Sequence, residues 1–427
     1  MKSRNVSRRA FVRAGAVLAA APYVVNSAVL GKAAVAPSGK ITVGFIGTGG
    51  HGIARNLNMY LGQADARVLA VCDVDSNNLR RAKQAVDAKY GNSDCATTKD
   101  FRDILLRDDI DAVMISTPDH WHTLMSVMAA KAGKDVQCEK PTLTIDEGKV
   151  LVKTIRRYGR VFQTSTEDRS ERIYHRMAEL VRNGRIGKLH TIRVTLPYQP
   201  GGPGDPTPQP VPPELDYEMW LGPAPYAPYT KDRVHFNFRW IWDYSGGILC
   251  DWGTHLFDTA QWANDTELSG PVEIDAKGTW WQGGLYDTPN EYHVEYTYAN
   301  GVKMFCDHGG SGIRFEGSDG WIESPSWLAA IKASDPKILD SKIGPEEVHL
   351  YTNPAGEHRD FLDCVKTRKD PYFPVDKGHR VATVCHLGNI ALKLQRKIRW
   401  DPDKEIFPND DEANRMLSRP MRSPWRL

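Results

Sequence analysis

The 427-residue chain has no pair of cysteines at metal-ligand or redox spacing. Its seven cysteines stand singly, at positions 72, 95, 138, 250, 306, 364 and 385. A zinc ribbon and a Cys-x-x-Cys redox motif are therefore excluded, and no metal is expected. Most of these thiols are expected to be small buried hydrophobes, with disulfides left open for an oxidising compartment. Long apolar runs are also missing. Ala14 to Val25 is shorter than the ~20 residues a spanning helix needs, so no stable membrane anchor is expected. Net charge is only +2, and no basic stretch interleaved with aromatics argues for nucleic acid. There is no internal repeat. What remains, 41% hydrophobic and 25% charged residues, is an ordinary globular balance, and the length suggests two domains.

The small net charge hides an asymmetry. Residues 1–36 carry Lys2, Arg4, Arg8, Arg9, Arg13 and Lys32 without one acid, so the body is mildly acidic. Ser7-Arg8-Arg9-Ala10-Phe11-Val12 followed by an Ala-rich run resembles a twin-arginine signal. That resemblance implies the twin-arginine export machinery as a partner and a periplasmic or otherwise exported protein. No cysteine precedes Cys72, so a lipoprotein anchor is not expected.

From residue 40 to 166 short apolar runs alternate with helical patterns, as a parallel sheet with right-handed crossovers requires. Strands are expected at 41–46, 68–72, 112–116, 135–138 and 161–164. Helices are expected after Gly52, over 77–90, 120–132 and 145–158. From 167 to 400 the period falls to two, at His190–Thr195 and Tyr292–Tyr298, and Asn300-Gly301 marks a hairpin. The fold expected is α/β, an N-terminal Rossmann domain plus a C-terminal α+β domain with a large open, mostly antiparallel sheet. Pro197 to Pro228 forms a long Pro- and Gly-rich loop, helices are expected at 357–367 and 377–397, and 401–427 reads as a polar, Arg-rich tail.

Three groups of residues carry chemistry. Gly47-x-Gly49-Gly50-x-Gly52 follows a strand, opens a helix and is answered by Asp73 at the end of the next strand. This is the dinucleotide fingerprint in its required context: the glycines make the turn and admit the pyrophosphate, and the helix N-terminus favours negative charge. Asp73 would accept from ribose hydroxyls and repel a 2′-phosphate, which favours NAD over NADP. Cys138-Glu139-Lys140-Pro141 ends a strand, because proline cannot donate to the ladder and holds the preceding residue extended. Lys140 is thereby aimed off the carboxyl edge, where ligands bind in open α/β sheets. Thr117-Pro118-Asp119-His120-Trp121-His122 leaves the same edge. In Asp251-Trp252-Gly253-Thr254-His255, the acid and the histidine share a face if the segment is helical.

Together, Gly47–Gly52, the Thr117–His122 run, Glu139-Lys140-Pro141 and Gly246–His255 resemble the glucose–fructose oxidoreductase, inositol dehydrogenase and rhizopine-catabolism (Gfo/Idh/MocA) family. The resemblance implies catalytic Lys140, Asp251 and His255, a cis bond before Pro141, and NAD or NADP acting on a sugar or cyclitol. Thr117, Pro118, Trp121, His122, Glu139 and Gln163 are expected along the cofactor. Arg239, Tyr244 and Trp252 are expected at the carbohydrate, as aromatic faces and hydroxyl-binding groups. An exported enzyme meets no soluble NAD pool, so the cofactor must be held and regenerated in place. A sugar oxidoreductase and an NAD-assisted glycoside hydrolase or lyase both meet that need. Keeping all of Lys140, Asp251 and His255 argues against a mere NAD-holding binding protein. A homodimer or homotetramer through the open sheet is also expected.

Overall fold

The computed structural model describes residues 39–199 and 201–427, and the twin-arginine stretch within residues 1–36 lies outside them. Strands β1 (Ile41–Ile46), β2 (Ala66–Cys72), β3 (Ala96–Thr98), β4 (Ala112–Ile115), β5 (Asp135–Glu139) and β6 (Phe162–Ser165) form the first sheet. Their order is β3-β2-β1-β4-β5-β6, every neighbour pair parallel, the doubly wound arrangement whose strand order reverses beside β1. Val43, Phe45, Val113, Met114 and Val136 are fully buried because helices cover both faces. Helix Ser76–Tyr90 starts one residue earlier than expected because Asp75 caps it, accepting from the amides of Asn77 and Asn78. Helix Ile145–Tyr158 is capped by Thr144 and stops at Gly159, whose φ of 59° is left-handed.

The second sheet comprises β7 (Leu189–Leu196), β8 (Pro271–Thr279), β9 (Glu291–Tyr298), β10 (Lys303–His308), β11 (Ile313–Gly317), β12 (Gly320–Ser324), β13 (Lys332–Ala333) and β14 (Ile398–Arg399). The order is β13-β12-β11-β7-β10-β9-β8-β14; only β7 and β10 run parallel. Val294, Tyr296 and Tyr298 of β9 face inward onto the helices Gly253–Ala263 and Val375–Leu394, as the alternation requires. The outward face is polar and carries the pairs His293–Asp307, Lys303–Glu295 and Arg193–Glu316.

All seven cysteines are free and buried. The Arg-rich stretch after Trp400 is no loose polar tail: it packs back onto the fold. The Arg419 guanidinium lies 3.8 Å from the Trp242 ring, Arg422 Nε donates to the Gly222 carbonyl at 3.0 Å, and Trp425 packs edge-on against Trp121 at 4.8 Å. Among the described residues no helix is long and apolar enough to cross a membrane.

Candidate active site

The carboxyl edge of the first sheet brings five strand ends together. At β1, Gly47 holds φ 86° and a Cβ there would lie 2.6 Å from the Ser116 carbonyl; at Gly52 it would lie 2.5 Å from the Gly47 carbonyl. Both positions are closed to any side chain. Gly49 and Gly50 differ, since a Cβ there meets nothing within 4 Å. The open approach lies where a dinucleotide's phosphates need backbone access, and Thr117 Oγ1 at the neighbouring strand end is buried without a partner. These residues fit a dinucleotide. Asp73 is 8% exposed and accepts from the amides of Thr48 at 2.7 Å and Asp75 at 2.8 Å, tying the glycine loop to the end of β2.

Past β5 the peptide between Lys140 and Pro141 is cis. Lys140 Nζ donates to Asp251 Oδ1 and to the Asp251 carbonyl, both at 2.7 Å. Arg239 Nε lies 3.4 Å from the other carboxylate oxygen. Burial acts to raise Asp251, but Lys140 and Arg239 outweigh it and hold the carboxyl well below its usual range. Burial acts to lower Lys140, and the attraction of Asp251 and Glu139 more than reverses it, so the ammonium is kept charged. Glu139 accepts from Asn56 at 2.9 Å and lies 3.1 Å from His51 Nε2, joining the first helix to this strand end.

The backbone stays helical from Ile248–Asp251 through Trp252 (φ −84°, ψ −31°) into Gly253–Ala263, yet Asp251 and His255 bond to different partners: Asp251 faces Lys140, and His255 turns to the end of β6. Its Nδ1 lies 2.9 Å from Thr166 Oγ1 and 3.4 Å from Asp168 Oδ1. Burial works against the imidazolium, yet Asp168 prevails and the His255 pKa is raised. Glu167, Asp168 and His255 present ligand atoms within 4.8 Å of one another. Trp252 packs beside this group, its ring tilted at 6.1 Å from His255 and edge-on at 5.8 Å from Trp327. Trp327 Nε1 donates to Asp168 Oδ1 at 3.4 Å.

Other expected residues are placed differently. Trp121 is 3% exposed, donates to the Trp220 carbonyl and packs against Phe101, so it anchors the core rather than lining a cofactor. His122 links the carbonyls of Thr117 and Pro141, both at 2.8 Å, so its ring nitrogens brace the two loops. Tyr244 is fully buried against Trp220 and His120, its hydroxyl accepting from Arg233; it is core, not a sugar wall. Gln163 lies fully buried in β6, and Pro118 caps the helix Asp119–Lys131. Asp168 and Thr166 were not singled out as site residues from the sequence. Their position just past a strand end on the ligand-binding edge was the available signal. The three neighbours Glu167, Asp168 and Arg169 diverge: Glu167 faces Arg55, Asp168 faces His255, and Arg169 reaches the buried Asp258.

The long loop folds onto the Rossmann half. Leu215 bridges Asp75, Asp216 donates its amide to the Val74 carbonyl at 2.9 Å, and Ser76 donates to the Glu214 carbonyl at 3.0 Å. His235 Nε2 stands 3.9 Å from Asp75 Oδ2. Residues 214–216 thus latch onto the turn that follows Asp73.

A doubly wound dinucleotide fold joined to an open mixed sheet, with lysine, acid and histidine at the shared edge, defines the two-domain dehydrogenase class. Residues 41–166 match the oxidoreductase family NAD-binding Rossmann fold, and 197–427 match the oxidoreductase family C-terminal alpha/beta domain. The chain belongs to the Gfo/Idh/MocA oxidoreductase family. It is 29% identical to the D-glucoside 3-dehydrogenase of Escherichia coli over 75% of this chain and 81% of that protein. It is 34% identical to a glycosyl hydrolase family 109 protein of Saccharopolyspora erythraea over 36% of each. For other curated relatives the match spans only about half of their length. Aldose-aldose oxidoreductase from Caulobacter crescentus shares the fold, with a TM-score of 0.64 at 19% identity over 84% of this chain and 99% of that one.

Proposed function

We propose that the protein is an NAD-dependent oxidoreductase that acts on a secondary hydroxyl of a sugar, sugar derivative or cyclitol, and holds its cofactor tightly. The observation that carries this reading is the Lys140–Asp251 contact at 2.7 Å on the same sheet edge as the glycine loop. Bound nicotinamide supplies the hydride-accepting chemistry. His255 takes the hydroxyl proton at Nε2, since Nδ1 faces Thr166 and Asp168. Lys140, kept charged by Asp251 and Glu139, donates to the reacting oxygen and stabilises negative charge that develops there. NAD is favoured over NADP because Asp73 would repel a 2′-phosphate. Arg80 and Arg81 bond to Asn77 and Asn78 on their own helix.

The latch at residues 214–216 supports slow cofactor exchange, which an exported enzyme needs. Export by the twin-arginine route, to the periplasm or beyond, is the reading of Arg8-Arg9, and replacing both with lysine should keep the protein inside the cell. The similarity to a glycosyl hydrolase family 109 protein favours one alternative: transient oxidation to a ketone, loss of the proton α to it with departure of the glycosidic oxygen from the β carbon, addition of water to the enone in a hydrolase, and return of the hydride to the ketone. To separate the two, the nucleotide is released and identified, then the loaded protein is incubated with alditols, aldoses and aryl glycosides. NADH build-up on a sugar marks a dehydrogenase. Aglycone release without net NADH marks the hydrolase or lyase. A protein that binds no nucleotide at any concentration overturns both.

A further inference from the structure

An open cleft of about 620 Å³ lies at the turn that carries Phe236, walled by Gly204, Asp205, Asp232, Phe236, Asn237 and Tyr286. Pockets of roughly 300–1,000 Å³ suit small ligands, so one pyranose ring fits with room to spare. Its wall is built rather than loose. The carbonyl of Pro203 accepts from the amides of Leu285 at 2.7 Å and Tyr286 at 2.9 Å. Gly204, at φ 73°, lies flat on the Tyr286 ring, where a Cβ would come within 2.7 Å. Asp205 donates its amide to Asp232 Oδ2 at 3.0 Å, closing the loop onto the turn that carries Phe236.

The lining chemistry is specific. Among the described residues the lining holds two carboxylates, a carboxamide and two aromatic rings. Phe236 is 58% exposed, so its ring is available to a ligand. Carboxylates and an amide recognise hydroxyls, an aromatic face covers the apolar face of a pyranose, and the two carboxylates disfavour phosphate or uronate. The cavity also shares a wall with the reaction centre. The Phe236 carbonyl accepts from Arg239 at 3.1 Å, its ring lies 4.8 Å from that guanidinium, and Arg239 Nε is 3.4 Å from Asp251.

We propose that this cavity is a second carbohydrate subsite, taking a neutral pyranosyl ring linked to the sugar that reaches Lys140 and His255. The inference rests on the sugar-acting reading above and narrows its substrate to glycosides with at least two rings. The test is binding to the full nucleotide-loaded protein by calorimetry, with methyl β-glucoside, cellobiose, maltose and lactose as probes. At least one disaccharide should bind about tenfold more tightly than methyl β-glucoside, roughly 1.4 kcal/mol. Phe236→Ala and Asn237→Ala, each checked for an unchanged melting temperature, should each remove most of that gain. Methyl β-glucoside binding should stay within about twofold. Disaccharides that bind no better than the monosaccharide overturn the subsite alone. So do variants that weaken both probes equally. Failure of every sugar, methyl β-glucoside included, overturns the sugar-acting reading as well.

Discussion

His255 Nδ1 lies 3.4 Å from Asp168 Oδ1, while Asp251, four residues before the histidine, faces Lys140. The site therefore holds two acid–base pairs rather than one triad. Lys140 and Asp251 form the first, a charged donor with its counter-ion. His255 and Asp168 form the second, a base with the acid that orients it.

The second pair has a pH signature. His255 faces Asp168 and Glu167, which raise its pKa, and Lys140, which lowers it along with burial. In the oxidative direction His255 must be neutral, so kcat/KM should fall as pH drops through a value above the usual ~6.5 of imidazole. In Asp168→Asn the larger raising charge is gone and Glu167 alone stands against burial and Lys140, so that acid limb should move to lower pH. A pH–rate profile reads the shift, and NMR titration of His255 reads it without turnover. An unmoved limb would remove Asp168 from this role. Replacing His255 with alanine should cost about 10²–10⁴ in kcat.

Lys140→Ala should abolish turnover and leave the nucleotide bound, because the glycine loop and Asp73 stand apart from Nζ. Gly47→Ala should do the reverse. A side chain at φ 86° against the Ser116 carbonyl forces the loop to shift, and nucleotide affinity should fall by about tenfold or more. Equilibrium dialysis of both variants checks the pair.

Loosening the latch should speed cofactor release. Leu215 is 6% exposed and bridges Asp75, so Leu215→Ala removes packing on which residues 214–216 depend. Stopped-flow fluorescence of NADH displacement should show a release rate raised by about tenfold, roughly 1.4 kcal/mol. An unchanged rate would mean that the latch does not retain the cofactor.

Arg169 is 1% exposed and donates to Asp258 at 2.7 and 2.6 Å and to the Tyr372 carbonyl at 2.9 Å. Arg169→Ala leaves a fully buried carboxylate unpaired, a loss of about 3–5 kcal/mol. Urea unfolding measures it.

Much of the architecture was legible because it rests on local rules. The alternation of apolar strands and helices gave the parallel sheet, and the period-two runs with Asn300-Gly301 gave the antiparallel one. The glycine spacing and the proline after Lys140 located two strand ends. Boundaries slipped by a few residues: the Asp75 cap draws one helix back by one residue, and the last long helix runs Val375–Leu394 rather than 377–397. The aromatic residues were the weak point. Trp121 and Tyr244 have the composition of a ligand wall, but composition cannot say which face of an element a neighbour will cover, and both are core.

The sequence by itself determined the fold class, the dinucleotide turn and the aim of Lys140, since glycine conformation, proline sterics and hydrophobic period act within a few residues. Tertiary structure alone decided who pairs with whom. Asp251 reaches back 111 residues to Lys140. His255 finds Thr166 from 89 residues away, and Asp168 beside it. The physical reason is that an i, i+4 spacing sets only a shared helix face, whereas the partner each side chain meets is set by how that helix packs against the strand ends.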